Sequence, residues 1–352
     1  MVSLGVLLHA IGGFAAGTFY LPLSRIRGWS WESGWLINGI FSWLIAPLVV
    51  AWIVVPDLRG LLAAVPSATL GWTYLFGLLW GIGGLTFGLS CRYLGLSLGY
   101  AMALGFCAVF GTIVPPIYEG TFGSLLGQVP GLVLLGGLCV CLLGIGVCGA
   151  AGMAKEHDLA AANTSDRAAD FSFAKGFFVA IFAGLMSACM SFGFAAGAPI
   201  AELATRHGVA ELWKNTPVLV VILVGGFTSN AIWCLLLNAR HRSFGDYLGR
   251  TAAPTAVNYL LAAAAGVTWY LQFMFYGMGS TQMGSYDFSS WTLHMAFIIV
   301  FSNLWAILLG EWREAKSRTL RLIITGIAIV FLSTLVVGLS NYLACNSGAS
   351  RH

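Results

Sequence analysis

The stretch YDFSSWTLHM places Asp287, Ser290, Trp291 and His294 at positions i, i+3, i+4 and i+7. On a helix those four side chains share one face. An acid, a hydroxyl, an indole and an imidazole on one face suit a polyhydroxylated ring. The carboxylate accepts hydroxyl hydrogen bonds, and the aromatic surface packs on the apolar face of a sugar. The other role open to Asp287 is to cap the helix that begins beside it. A second face recurs upstream in WYLQFMFYGMG, where Trp269, Gln272, Phe273 and Tyr276 have the same spacing. Gln272 carries an uncharged amide in mid-span and needs a partner, either a ligand or a neighbouring helix. His9 precedes Tyr20 by 11 residues, about three helical turns, so both are expected on the face that carries Gly13. An imidazole there either carries protons or packs. Ionisable groups inside a span are costly and mark function by default, so Asp287, His9 and His294 are the candidates for proton coupling. Glu32 and Glu119 fall at span edges and read as solvated.

Catalytic arrangements are missing. The sequence has no HExxH, no GxSxG and no GxxxxGK[ST], the patterns that hold zinc, a nucleophilic serine or nucleotide phosphates. It does not read as an enzyme, and primary active transport by this chain alone is not expected. The eight cysteines lie mostly in apolar runs, where thiols act as small hydrophobes, so no metal site and no cofactor other than a coupling proton is called for. The net charge of +4 comes from scattered basic residues, not a stripe interleaved with aromatics, so nucleic acid is not a partner.

The elements that must position these side chains are set by the solvent. Hydrophobic residues make up 59% of the chain and charged residues 9%, against about 25% charged in soluble domains. Mean hydropathy is +0.86. Such a chain belongs in a lipid bilayer. The expected fold is all-α, with ten spans at 4–22, 34–55, 71–91, 99–118, 131–152, 174–198, 216–238, 256–279, 288–310 and 320–342. The runs are too long, and alternate too little, for a barrel. Thirteen of the 17 Lys and Arg residues fall in odd-numbered loops or at their edges and four elsewhere. By the positive-inside rule the odd loops are cytoplasmic and both termini periplasmic.

The pentapeptide GFAAG occurs at Gly13–Gly17 and again at Gly193–Gly197, an offset of 180. A second echo, at an offset of 189, matches Trp80 with Trp269, Phe87 with Tyr276, Gly88 with Gly277 and Gly95 with Gly284. These echoes put spans one and six, and three and eight, in corresponding places. Five spans per half make the twin inverted, so the expected architecture is a five-plus-five inverted repeat: residues 1–152, a cytoplasmic linker at 153–173, and 174–352. Inverted repeats place substrate near mid-membrane at their interface, which adds Trp80 to the candidate cavity lining. Pro22 and Pro199 follow the two GFAAG copies and can bend the helices there.

FYLPLSRIRGWSWES, WGIGGLTFGLSCRYLGLSLG, SACMSFGFAAGAP, WYLQFMFYGMG and YDFSSWTLHMAF together resemble the L-rhamnose–proton symporter family, within the drug/metabolite transporter superfamily. The likeness extends from about Leu8 to Trp312. It implies ten helices, an inverted repeat and proton-coupled uptake of L-rhamnose, or a related neutral deoxy-sugar, through the bacterial inner membrane. Gly84, Phe194 and Ala195 stand where the family carries polar residues. The expected substrate contacts are Gln272, Tyr276, Trp291, Ser290, Trp269, Trp80 and Tyr20. The expected partners are sugar, protons and membrane lipid, and the sequence leaves the oligomeric state open. The competing reading is a proton-coupled exporter of metabolites or amino acids in the same superfamily.

Overall fold

In the bilayer core no water satisfies backbone polar groups, so each apolar run closes its own hydrogen bonds as a helix. The computed structural model describes residues 2–94, 96–118, 120–162, 173–249, 254–284, 290–310, 312 and 316–346. Among these the long helices are α1 (Val2–Thr18), α2 (Trp31–Val54), α3 (Ser67–Leu94), α4 (Leu96–Tyr118), α5 (Val129–Ala162), α6 (Phe173–Ala196), α7 (Thr216–His241), α8 (Thr255–Ser280), α9 (Ser290–Leu308) and α10 (Ser317–Asn346). Among the described residues, eight helical stretches are long and apolar enough to cross a membrane, and Met102–Tyr118 in α4 and Ser290–Trp305 in α9 are shorter apolar helices. The chain is therefore an all-helical, multi-pass membrane protein.

The helix starting at Val129 continues to Ala162, so the first residues of the expected linker at 153–173 are helical. Its residues 163–172 lie outside the described residues, as does Glu119. Each GFAAG copy ends at a break. Phe19 separates α1 from a short helix at Tyr20–Leu23. Gly197 separates α6 from the helix Ala198–Arg206, which starts with Pro199 in its first turn. Helix α2 carries a wider π-helical turn at Ile40–Ile45, which directs the buried Trp43 toward the centre of the bundle.

Small residues set the spacing between helices, as expected where lipid gives no hydrophobic drive for association. A Cβ on Gly13 would stand 2.4 Å from Phe297 Cβ, so α1 lies directly on α9. A Cβ on Gly77 would stand 2.1 Å from the Ile222 carbonyl oxygen, so α3 and α7 touch backbone to backbone. Helix α1 packs on α8 and α9, α6 on α3 and α4, α2 on α7 and α8, α3 on α7, and α5 on α10. Thr112 of α4 and Thr292 of α9 share a hydroxyl hydrogen bond of 2.5 Å in the interior.

Candidate functional site

A cavity of about 730 Å³ opens at the end of the bundle where α6 and α8 finish. Its walls include Gly111 and Ser191, Phe194 and Ala195 beside the second GFAAG break, Asn215 at the start of α7, and Tyr276. The volume falls within the roughly 300–1,000 Å³ of small-molecule sites. The helix Ala198–Arg206, which follows α6 after Gly197, forms the side of the mouth. Charged pairs stand on the rim, Arg206 with Glu202 at 3.8 Å and Lys214 with Glu211. Polar and apolar groups share the lining. Ser191 Oγ donates toward the carbonyls of Ala188 (2.9 Å) and Gly111 (3.2 Å). Asn215 Nδ2 donates to Gly277 O and to Ser280 Oγ, both at 2.9 Å.

Tyr276 forms the inner wall. Its ring meets Phe194 edge-on at 5.0 Å and Trp291 at 5.6 Å and 90°. Behind it lie His294, with ring centroids 5.2 Å apart, and His9 at 5.5 Å. The two imidazoles are 6.3 Å apart. Both histidines are fully buried, and among the described residues none of their four ring nitrogens has a hydrogen-bond partner. Ser290, one turn before His294, is buried with its hydroxyl likewise unpartnered. Glycines make room for this cluster: a Cβ on Gly279 would stand 2.9 Å from the His9 ring, and one on Gly12 would stand 3.3 Å from His294 Cε1.

Deeper in the bundle an aromatic column continues from the cavity wall. Phe273 packs on Trp269 at 5.0 Å, Trp269 on Trp80 at 5.5 Å, and both tryptophans on Trp43. Gln272 is buried on the same helix. The two tryptophans matched at an offset of 189 therefore meet each other at mid-depth.

The expected contacts are thus arranged in layers. Tyr276 lines the cavity. Trp291, His294, His9 and Ser290 stand behind it, and Gln272, Trp269 and Trp80 lie beneath. Trp291 does not present its N–H to the cavity, because Nε1 donates to Cys107 O at 3.0 Å and the bare Gly111 covers the indole. Tyr20 is apart from the rest. It lies past Phe19 at the end of the first span and is 54% exposed. Asp287 lies outside the described residues.

One expectation is corrected. Glu32 is not solvated at a span edge; it is 4% exposed. Its Oε1 accepts a 2.9 Å hydrogen bond from Ser243 and pairs with His241 Nδ1 at 2.9 Å. The partners come from a segment more than 200 residues away, so nothing local in WSWES announces them. Ser191 and Asn215 were not singled out either. Ser191 had a usable signal in its place two residues before the second GFAAG.

The family model for the L-rhamnose-proton symport protein matches residues 1–343. The chain is 36% identical to the L-rhamnose-proton symporter of Cronobacter sakazakii over 343 residues, covering 96% of this chain and 97% of that protein. It is 35% identical to the L-rhamnose-proton symporter of Yersinia pestis over 343 residues, covering 96% and 98%.

Proposed function

The chain belongs to the L-rhamnose-proton symport protein family, and from that premise we propose that it imports L-rhamnose, or a related neutral deoxy-sugar, together with protons. The observation that carries this reading is the match along nearly the whole length of symporters of the same size. It is a transporter and not an enzyme, and the exporter reading is not favoured. The geometry fits a neutral sugar. The cavity interior has aromatic and small apolar walls for the ring face and methyl group of a deoxy-sugar. Ser191, Asn215 and Tyr276 offer hydroxyl and amide groups for its hydroxyls, and the rim charges pair with each other.

The architecture in this reading is ten spans in a five-plus-five inverted repeat, with 1–152 and 174–352 as the halves. Two features support it. Exchanging α1 with α6, α2 with α7, α3 with α8, α4 with α9 and α5 with α10 maps the observed packing pairs onto one another. Thr112 and Thr292, which touch across the interior, are separated by the same 180 residues as the GFAAG copies. Charge puts the loops that hold Arg25, Arg27, Arg240 and Arg242 in the cytoplasm, so the cavity opens to the periplasm. Both termini are then periplasmic, and the protein sits in the bacterial inner membrane. Cys345 should react with an impermeant thiol reagent in intact spheroplasts; labelling only after lysis reverses the orientation.

Sugar entering from the periplasm meets Tyr276 first. Trp291, Ser290, Gln272, Trp269 and Trp80 form the path it must part to reach the other side. Protons couple through Asp287, and His9 and His294, buried beside Tyr276, are the other candidates. Linkage then makes sugar affinity depend on pH. Asp287→Asn cannot titrate, so calorimetric sugar binding by that variant should lose its pH dependence and proton-driven accumulation should vanish. If it still concentrates sugar under an imposed proton gradient, coupling passes to the histidines.

A further inference from the structure

At the end of the bundle away from the cavity, Arg27, Ser30, Glu32 and Ser33 bond across to Asn238, His241, Ser243, Asp246 and Asn258. Along α8 the two ends are well separated: Asn258 to Tyr276 is ~27 Å at 1.5 Å per residue. Glu32 Oε1 holds His241 and Ser243. Ser30 donates to Asp246 Oδ2 through its backbone N–H at 2.9 Å and through its hydroxyl at 2.6 Å. Asn238 Nδ2 reaches Ser243 Oγ at 3.1 Å and Ser33 Oγ at 3.4 Å, and its Oδ1 accepts from Tyr247. Asn258 brackets the Arg27 backbone, accepting from its N–H at 3.2 Å and donating to its carbonyl at 2.8 Å.

These bonds join the start of α2 to the end of α7 and the start of α8, and so close the bundle between its two halves. The turn that delivers Ser243 is built for the contact. Arg242 ends α7 in the left-handed conformation, at φ 56°, which a non-glycine residue seldom adopts. The closure gathers several side-chain hydrogen bonds at one end of the bundle, whereas seams such as Gly13 on Phe297 and Gly77 on Ile222 pack through small and apolar groups. Bonds of this kind exchange for water at small net cost, whereas parting an apolar seam exposes its surface with no replacement. Glu32 is buried while its partner His241 is half exposed, so the carboxylate is the inner end of the closure and water reaches it from outside.

We propose that Glu32 is the latch of a gate at the end opposite the cavity, and that transport requires its release from His241 and Ser243. This rests on the transporter reading above and goes beyond it by naming the residue that keeps the second side shut. Glu32 positions the gate and does not touch the sugar.

Two buried thiols report on it. Cys234 lies one turn before Asn238 on α7, fully buried and within electrostatic range of Glu32. Cys107 is buried at the cavity end, under Trp291. The experiment is N-ethylmaleimide labelling of the purified full-length protein without sugar, read peptide by peptide for both thiols. Glu32→Ala should speed Cys234 labelling about tenfold or more, the population shift expected from losing a hydrogen bond to a charged group, with Cys107 unchanged. Ser243→Ala, which removes one bond and leaves the carboxylate charge in place near Cys234, should act in the same direction with a smaller effect, and it decides the matter, because Glu32→Ala also removes a charge that itself slows thiol reaction. Cys234 staying protected in both variants would overturn the gate, and so would Cys107 and Cys234 rising together, which is general loosening. Adding L-rhamnose tests the substrate reading separately, because the latch effect is measured without it.

Discussion

His9 occupies an energetically poor position, and that makes a sharp prediction. Its imidazole is fully buried against Gly279, Tyr276 and His294, with both ring nitrogens unpartnered among the described residues. A buried polar group without a partner costs about 1–3 kcal/mol. His9→Phe keeps a flat ring and removes the polar atoms. It should therefore leave unfolding stability unchanged or raise it, by up to about 1–3 kcal/mol. A residue kept at a cost to stability is kept for function, so the same variant should lose proton-driven accumulation. One charge moving through 100 mV supplies about 2.3 kcal/mol, roughly fiftyfold accumulation, and that gradient is what should disappear. Thermal unfolding in detergent gives the first quantity and uptake into proteoliposomes the second. A clearly destabilised His9→Phe would mean the imidazole is bonded after all. A stabilised variant that still accumulates sugar would remove His9 from the proton path.

Other outcomes follow from the packing. Gly13→Leu drives a side chain into Phe297, whose Cβ would be 2.4 Å from the new Cβ, and should cost about 1–3 kcal/mol of stability as α1 is pushed off α9, measured by unfolding. Tyr276→Phe should weaken sugar binding by calorimetry, while Trp291→Ala should lower stability by about 3–5 kcal/mol because the indole fills the layer behind the wall. Asp158, past the membrane end of α5, is held at about 2 by the Lys316 hydrogen bond, below its usual 3.8. A lowered carboxylate contributes stability above its unfolded value and loses it as pH falls from about 4 to about 2. Melting temperature should drop across that window in the natural protein, and Asp158→Asn should lack this part of the drop.

Hydropathy made the helices legible, because a span must be apolar along its whole length. The histidine and aromatic cluster was legible as helical faces: the i, i+4 and i+7 spacing of Trp291, His294, Trp269 and Tyr276 does bring rings together. What spacing could not tell was depth. Trp291 gives its N–H to a carbonyl 184 residues away, and Glu32 finds His241 209 residues away, so one reads as a ligand platform and the other as a surface acid. Spacing from His9 likewise could not tell that Tyr20, at the far end of the first span, is 54% exposed.

Uptake of labelled L-rhamnose into proteoliposomes, with and without an inward proton gradient, tests the central claim most directly. Import coupled to protons predicts that sugar equilibrates slowly without the gradient and accumulates above the external concentration with it, and that a protonophore abolishes the accumulation. Equal uptake under both conditions, or export of sugar driven by the same gradient, would contradict it.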